Sequence, residues 1–279
     1  MSRQLALVKI GGAQIDTATG RARLGRCVAR AREAGWDIVL VHGGGPQIAA
    51  FAARLGLEER RHLGLRITDA ATAEVVLAAL AGTVNKELVR ALAATGVPAV
   101  GVCGVDGGLF GARRLGAAAD SGVDLGYVGE PDAIDPHIVH TLLDAGYVPV
   151  VATVASRTVD EPFYNVNADH AAGPLASALA ATSLVFLTDV DGVLDAERRP
   201  ILALDRARMR TLVDSGVITG GMLPKVAAAL AALAAAPHTK VRIAPGAGAT
   251  ERGEHAVLDA LLGTTGTAFV EAHANAEVH

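Results

Sequence analysis

Six short stretches of the chain are almost continuously apolar: Leu5–Ile10, Asp37–His42, Ala99–Cys103, Val148–Val154, Leu184–Asp189 and Val241–Ala244. Such runs predict strands of a sheet covered on both faces. Between them, apolar residues recur with helical spacing over about Arg21–Ala34, Gln47–Leu55, Asp69–Ala94, Pro136–Asp144, Asp169–Ala181, Asp205–Ser215 and Lys225–Ala235. Strand and helix in alternation predict an α/β fold, a three-layer αβα sandwich around a mainly parallel central sheet. In the longest helix Asp69 is the expected N-cap and Gly96 the stop. Gly82 in its middle costs ~1 kcal/mol relative to Ala, which predicts a kink or a close contact there. Gly104–Glu130 is rich in Gly and Asp and lacks a helical period, so it reads as a β-hairpin or lid with a long tip. The end of the chain, 272–279, has no partner pattern and is expected to fray.

Composition narrows the picture. The 279 residues are 51% hydrophobic and 19% charged, with a formal net charge of −4. That supports a sizeable core and argues against disorder, and it gives no reason to expect nucleic acid or an anionic membrane as partner. Two cysteines, Cys27 and Cys103, are too few for a disulfide framework and lie in no metal-ligand spacing, which suggests a reducing compartment. No run approaches signal-peptide length or the ~20 apolar residues of a spanning helix, so a cytoplasmic location is expected.

The candidate chemistry lies in three glycine clusters, each read as following a strand, where open α/β sheets bind ligands. The first is Val8-Lys9-Ile10-Gly11-Gly12, in which bare backbone N–H groups can form an anion nest beside a lysine. A tight turn would explain the two glycines equally well. The second is Val41-His42-Gly43-Gly44-Gly45-Pro46, with Pro46 placed to open a helix whose N-terminus is an anion site. His42 reads as a strand-end core or turn residue rather than a catalytic base. The third is Gly216-Val217-Ile218-Thr219-Gly220-Gly221-Met222-Leu223-Pro224-Lys225, where Lys225 is either a solvated lysine or a second ammonium aimed at phosphate. No Gly-x-x-x-x-Gly-Lys-Ser/Thr and no Gly-x-Gly-x-x-Gly after the first strand occurs, which lowers the rank of P-loop and dinucleotide enzymes. Two lysines at glycine-rich turns suit phosphoryl transfer, which depends mostly on positioning and charge neutralisation.

Several spaced strings then converge. Gly64-Leu65-Arg66-Ile67-Thr68-Asp69, Asn85-Lys86, Tyr164-Asn165-Val166-Asn167-Ala168-Asp169, Leu187-Thr188-Asp189-Val190-Asp191-Gly192-Val193-Leu194 and Gly220–Lys225 occur in that order. Together they resemble the N-acetylglutamate kinases of the amino acid kinase family, from Leu5 to about Val270. The resemblance implies an amino-acid-binding lobe over 1–173, with the lid at about 104–130, and a nucleotide-binding lobe over 174–271. It implies that Lys9 and Lys225 flank the transferred phosphoryl group and that Asp169 holds both. On residue type alone, Asp169 is also a fitting N-cap for the helix that follows. Backbone N–H groups of Gly11, Gly12, Gly44 and Gly45 would cradle the phosphates and the reacting carboxylate. Arg66 and Asn165 would bind the substrate, Arg66 through a bidentate fork, although without the resemblance it reads equally as a surface arginine. Thr188, Asp189, Asp191, Gly220, Gly221 and Met222 would line the nucleotide site. ATP with Mg²⁺ would be the cofactor, with no protein ligand assigned to the metal.

The implied reaction phosphorylates the side-chain carboxylate of N-acetyl-L-glutamate, the second step of arginine biosynthesis. His170 and the stretch Gly111–Val123 depart from the pattern. The chain begins at its first strand, without the N-terminal helix of the hexameric, arginine-inhibited branch, so a homodimer insensitive to arginine is expected. The rivals are a kinase for carrier-linked aminoadipate, a non-catalytic ligand-binding regulator on the same fold, and a carbamate or uridylate kinase.

Overall fold

The structure, a computed structural model, describes residues 4–116, 122–247 and 253–271. In chain order its elements open with β1 (Gln4–Ile10), α1 (Ala18–Glu33), β2 (Trp36–His42), α2 (Gly45–Arg54), β3 (Arg61–His62), β4 (Leu65–Arg66) and α3 (Ala70–Leu77). They continue with α4 (Asn85–Ala93), β5 (Ala99–Cys103), β6 (Gly111–Arg114), β7 (Val128–Asp132), α5 (His137–Asp144), β8 (Val148–Ala152), β9 (Val154–Ala155) and β10 (Tyr164–Val166). The last are α6 (Ala168–Ala178), β11 (Ser183–Thr188), β12 (Ala203–Leu204), α7 (Arg206–Asp214), α8 (Met222–Ala235), β13 (Lys240–Pro245), α9 (Ala256–Leu262) and β14 (Thr267–Phe269).

The main sheet has eight strands in the order β12-β14-β13-β11-β1-β2-β8-β5. Its six strands from β13 to the edge strand β5 run parallel, and β14 is antiparallel to β13. The fold is therefore α/β with a mostly parallel central sheet. The period-2 alternation of a strand divides the core. Ala6, Val8 and Ile10 of β1 pack with Leu24, Val28, Leu88, Leu92 and Val257, from α1, α4 and α9. Leu5 and Leu7 point the other way, into a core with Leu143, Ala172, Leu175, Ala229 and Leu233 from α5, α6 and α8. Among the described residues no helix is long and apolar enough to cross a membrane.

Three expectations change in the folded chain. The run expected as one strand over Val148–Val154 divides at Thr153, because β9 leaves the main sheet and pairs antiparallel with β10 in a four-stranded sheet β6-β7-β10-β9. The long helix keeps Asp69 as its N-cap, bonded to the Thr72 N–H at 2.8 Å. Between α3 and α4, however, Ala78–Val84 forms a π-helical segment that contains Gly82. The third glycine cluster follows helix α7 rather than a strand. The expected hairpin is present as β6 paired antiparallel with β7; 117–121 of its tip, like 272–279, lies outside the described residues.

Candidate active site

Lys9 continues the Leu5 and Leu7 set, so alternation sends its side chain toward the α6/α8 side at the C-terminal end of β1. Asp169 stands there in the first turn of α6, and its Oδ1 lies 2.6 Å from the Lys9 Nζ. Lys225, from the first turns of α8, donates to the same carboxylate, 3.1 Å to Oδ2 and 3.4 Å to Oδ1. The capping alternative for Asp169 is wrong. Asn167 is the N-cap of α6, and its Oδ1 accepts from the N–H groups of Asp169 (2.8 Å) and His170 (3.3 Å). Asp169 is thereby left free to bridge the two lysines.

Burial sets the electrostatics of this trio. Lys9 is only 4% exposed, and desolvation brings its pKa down to about 8 despite the adjacent carboxylate. For Asp169 burial works upward, but two ammonium neighbours outweigh it and the carboxyl stays below its usual range. A multivalent anion entering beside Lys9 would restore what burial costs it.

The glycine turns meet next to these lysines. A Cβ on Gly12 would lie 2.9 Å from Pro46 Cδ and 3.1 Å from Gly44 Cα, so the loop after β1 and the start of α2 touch through bare backbone. A Cβ on Gly44 would lie 2.6 Å from Leu80 Cδ2. Gly44 is the N-cap of α2, where the first N–H groups have no intrahelical acceptor.

Arg66 closes the far side. It sits on β4, which pairs with β3 across a two-residue Leu63-Gly64 loop with positive φ at both positions (47° and 81°). That is the hairpin turn matched to strand twist, and it sets Arg61 opposite Arg66. The Arg66 Nη2 donates to the Gly45 carbonyl at 3.0 Å and lies 3.0 Å from Glu59 Oε1; Arg61 Nε meets the same Glu59 oxygen at 2.5 Å. Burial lowers the Arg66 pKa, and Glu59 opposes the shift. Asn165, on β10, has its Nδ2 3.5 Å from the Thr68 hydroxyl.

The lysines, the glycine turns and Arg66 border one cavity of about 360 Å³. Lys9, Gly11, Gly12, Gly44, Gly45, Arg66, Asn165, Asp169 and Lys225 line it. Thr188, Asp189, Asp191, Gly220, Gly221 and Met222 do not. Thr188 ends β11, the strand beside β1, at the same sheet edge, and its hydroxyl donates to Asp189 Oδ1 at 3.1 Å. Sequence reasoning missed Arg61, Thr153 and Leu80, which also line the cavity. Leu-Gly is not the Asn-Gly signal of a tight hairpin, so the turn that sets Arg61 at the cavity's border carried no clear mark. Of the lining side chains four are cationic, Lys9, Arg61, Arg66 and Lys225, and one is acidic, Asp169. Such a cavity favours a small, multiply anionic ligand.

The amino acid kinase family matches residues 4–245, a span that holds every residue lining the cavity. This chain belongs to the amino acid kinase family. As a member of that family it is similar to the acetylglutamate kinase of Solibacter usitatus, 45% identical over 248 residues (88% of this chain, 93% of that protein). It is 43% identical over 235 residues to the acetylglutamate kinase of Methanopyrus kandleri (83% and 91%). With that of Granulibacter bethesdensis it shares 44% identity over 227 residues (79% and 76%). Among solved structures, a Streptococcus mutans protein superposes with a TM-score of 0.78 at 26% identity, covering 96% of this kinase and 99% of that chain. Giardia carbamate kinase, at 16% identity and a TM-score of 0.71 (98% and 100% covered), shares the fold.

Proposed function

We propose that this kinase transfers the γ-phosphoryl group of ATP to the side-chain carboxylate of N-acetyl-L-glutamate, giving N-acetyl-L-glutamyl 5-phosphate in the second step of arginine biosynthesis. The observation that carries the reading is the junction of two ammonium groups on one carboxylate, Lys9–Asp169–Lys225, beside bare glycine N–H groups in a cavity whose far wall is Arg66. The names of the relatives support the choice of substrate.

The nucleophile needs no general base, because a glutamate-type carboxylate with pKa ~4.3 is already ionised at neutral pH. Its difficulty is repulsion from the triphosphate. Lys9 and Lys225 neutralise charge on the transferring group from two sides, and the N–H groups of Gly11, Gly12, Gly44 and Gly45 hold oxygens in place. A carboxylate oxygen bonds to the γ-phosphorus as the bond from that phosphorus to the ADP oxygen breaks, and ADP leaves. Asp169 touches neither partner as a base; it fixes both ammonium groups by charge-assisted hydrogen bonds. Arg66 and Asn165 orient the remote end of the substrate. ATP supplies the phosphoryl group and brings Mg²⁺ bound through its own phosphate oxygens and water. We place its base and ribose along Thr188, Asp189, Asp191 and Gly220–Met222, at the edge where β11 ends beside β1, within a C-terminal nucleotide lobe.

Purified protein incubated with MgATP and N-acetylglutamate, glutamate or N-acetylaminoadipate, with hydroxylamine to trap the acyl phosphate, tests the proposal. Hydroxamate formed fastest from N-acetylglutamate is expected; none from it, with turnover of another acid, overturns the assignment. The same reading makes the protein a cytoplasmic homodimer, so light scattering should give twice the 28.3 kDa chain mass.

A further inference from the structure

Asn85-Lys86 and His42 play no part in the chemistry above, yet they form a hydrogen-bonded chain that ends on the glycine loop. The Lys86 ammonium has only donors, and its Nζ lies 3.1 Å from Asn85 Oδ1 and 3.0 Å from the Gly101 carbonyl. That fixes the Asn85 amide with its oxygen toward Lys86. Its Nδ2 then donates to the Val150 carbonyl at 2.8 Å and faces His42 Nε2 at 3.1 Å. His42 Nε2 is therefore the acceptor, and the ring proton sits on Nδ1. The opposite end demands the same tautomer, because Nδ1 lies 3.0 Å from the Gly43 carbonyl oxygen, which can only accept. His42 is fully buried and Asn85 is 1% exposed; burial holds the His42 pKa down to about 4, so the ring is neutral.

The Gly43 carbonyl and the Gly44 N–H belong to one planar trans peptide, so they point in opposite directions. Anchoring the carbonyl to the core aims the Gly44 N–H away from it, at the N-cap of α2. The π-helical segment makes the reach possible. Its i→i+5 spacing brings Leu80 and Asn85 toward one face. Leu80 then lies under Gly44 while Asn85 meets His42. On Gly101 a Cβ would fall 1.7 Å from Asn85 Oδ1, so the chain also requires a bare residue on β5.

We infer that His42 is a positioning residue: locked as the Nδ1–H tautomer by Asn85 and Lys86, it orients the Gly43–Gly44 peptide so that the Gly44 N–H is presented to the reacting anion. The inference rests on the role given above to Gly44, and two substitutions separate the ring's two ends. His42→Asn sets an amide N–H near the position of Nδ1 and keeps the anchor, whereas His42→Gln reaches toward Nε2 and loses it. His42→Asn should stay within about tenfold of wild type. His42→Gln should lose about 100-fold in kcat and in kcat/KM alike, with KM for the acid little changed, as for a misaimed transition-state donor. Equal activity, or equal loss, in two folded variants of matched thermal midpoint overturns the role. Should neither variant fold, long-range ¹H–¹⁵N correlation on wild-type protein judges it alone: an Nδ1–H ring for His42 supports it and an Nε2–H ring defeats it. Wild-type turnover in the same assay keeps the readings apart, since its absence defeats the functional assignment instead.

Discussion

Replacing Lys9 by Met should leave the protein as stable as before, or more stable, while removing nearly all activity. In the folded chain the Lys9 pKa falls from 10.5 to about 8, driven by burial. A displacement of that size corresponds to about 3 kcal/mol of destabilisation at neutral pH, relative to a lysine that stays in water. Met fills a similar volume without the charge, so this penalty disappears. Against the gain stands the loss of one of Asp169's two partners, but Lys225 remains 3.1 Å from it. The net change should fall between roughly 0 and +2 kcal/mol, with kcat down by about 10³ or more because a charge facing the phosphoryl group is gone. The pH dependence provides the signature. Between pH 8 and 10.5 the folded chain has released the Lys9 proton and the unfolded chain still holds it. The unfolded state then binds more protons, so wild-type stability gains with rising pH. Below pH 8 both states are protonated and the penalty is complete; above 10.5 both are neutral and it is absent. Urea unfolding of both proteins at pH 7.5 and 10 should therefore show the advantage of the Met variant shrinking at the higher pH. Destabilisation of more than 2 kcal/mol at pH 7.5, or activity within tenfold of wild type, would refute the reasoning.

Asp169→Asn should lower kcat by about 100-fold, because both ammonium groups lose the anion that aims them and Lys9 gives up its proton more readily; initial rates at saturating ATP and acid check this, and unchanged kcat counts against it. Arg66→Lys should raise KM for the acidic substrate by about 10–100-fold with a smaller change in kcat, since a point charge replaces a planar fork; a pure kcat effect would move Arg66 to the reacting end. Cys27 and Cys103 are buried, and desolvation pushes both thiols up to about 11. At pH 8 about one molecule in a thousand then carries a given thiolate, so iodoacetamide should label the native protein far more slowly than the urea-unfolded chain, as counted by mass spectrometry. Comparable rates would place these thiols in water.

The layered α/β architecture was legible because burial on both faces of a parallel sheet writes itself as continuous apolar runs, and β1, β2, β5, β11 and β13 each fall on one. Asp69 and Gly96 marked helix ends correctly because capping and positive φ are local demands of the backbone. Lys9, Gly44 and Lys225 were visible as candidates through residue type and neighbouring glycines, Arg66 only through the family resemblance. Their convergence on one cavity came only as what the resemblance implied, never from residue type or spacing, because convergence depends on strand order. Thr188 ends β11 and Asp189 follows directly after it, one residue beyond the expected strand, yet neither lines the cavity.

By itself the sequence determined which segments are buried, where the bare peptide groups lie and how many charges could meet an anion. Only the tertiary structure decided that Lys225 reaches Asp169, that Arg61 borders the same cavity as Lys9, and that a wider helical turn brings Asn85 to His42. The reason is range. Periodicity and capping act within a few residues, whereas these contacts join positions far apart in the chain, and their geometry exists only once the strands are paired and the helices packed.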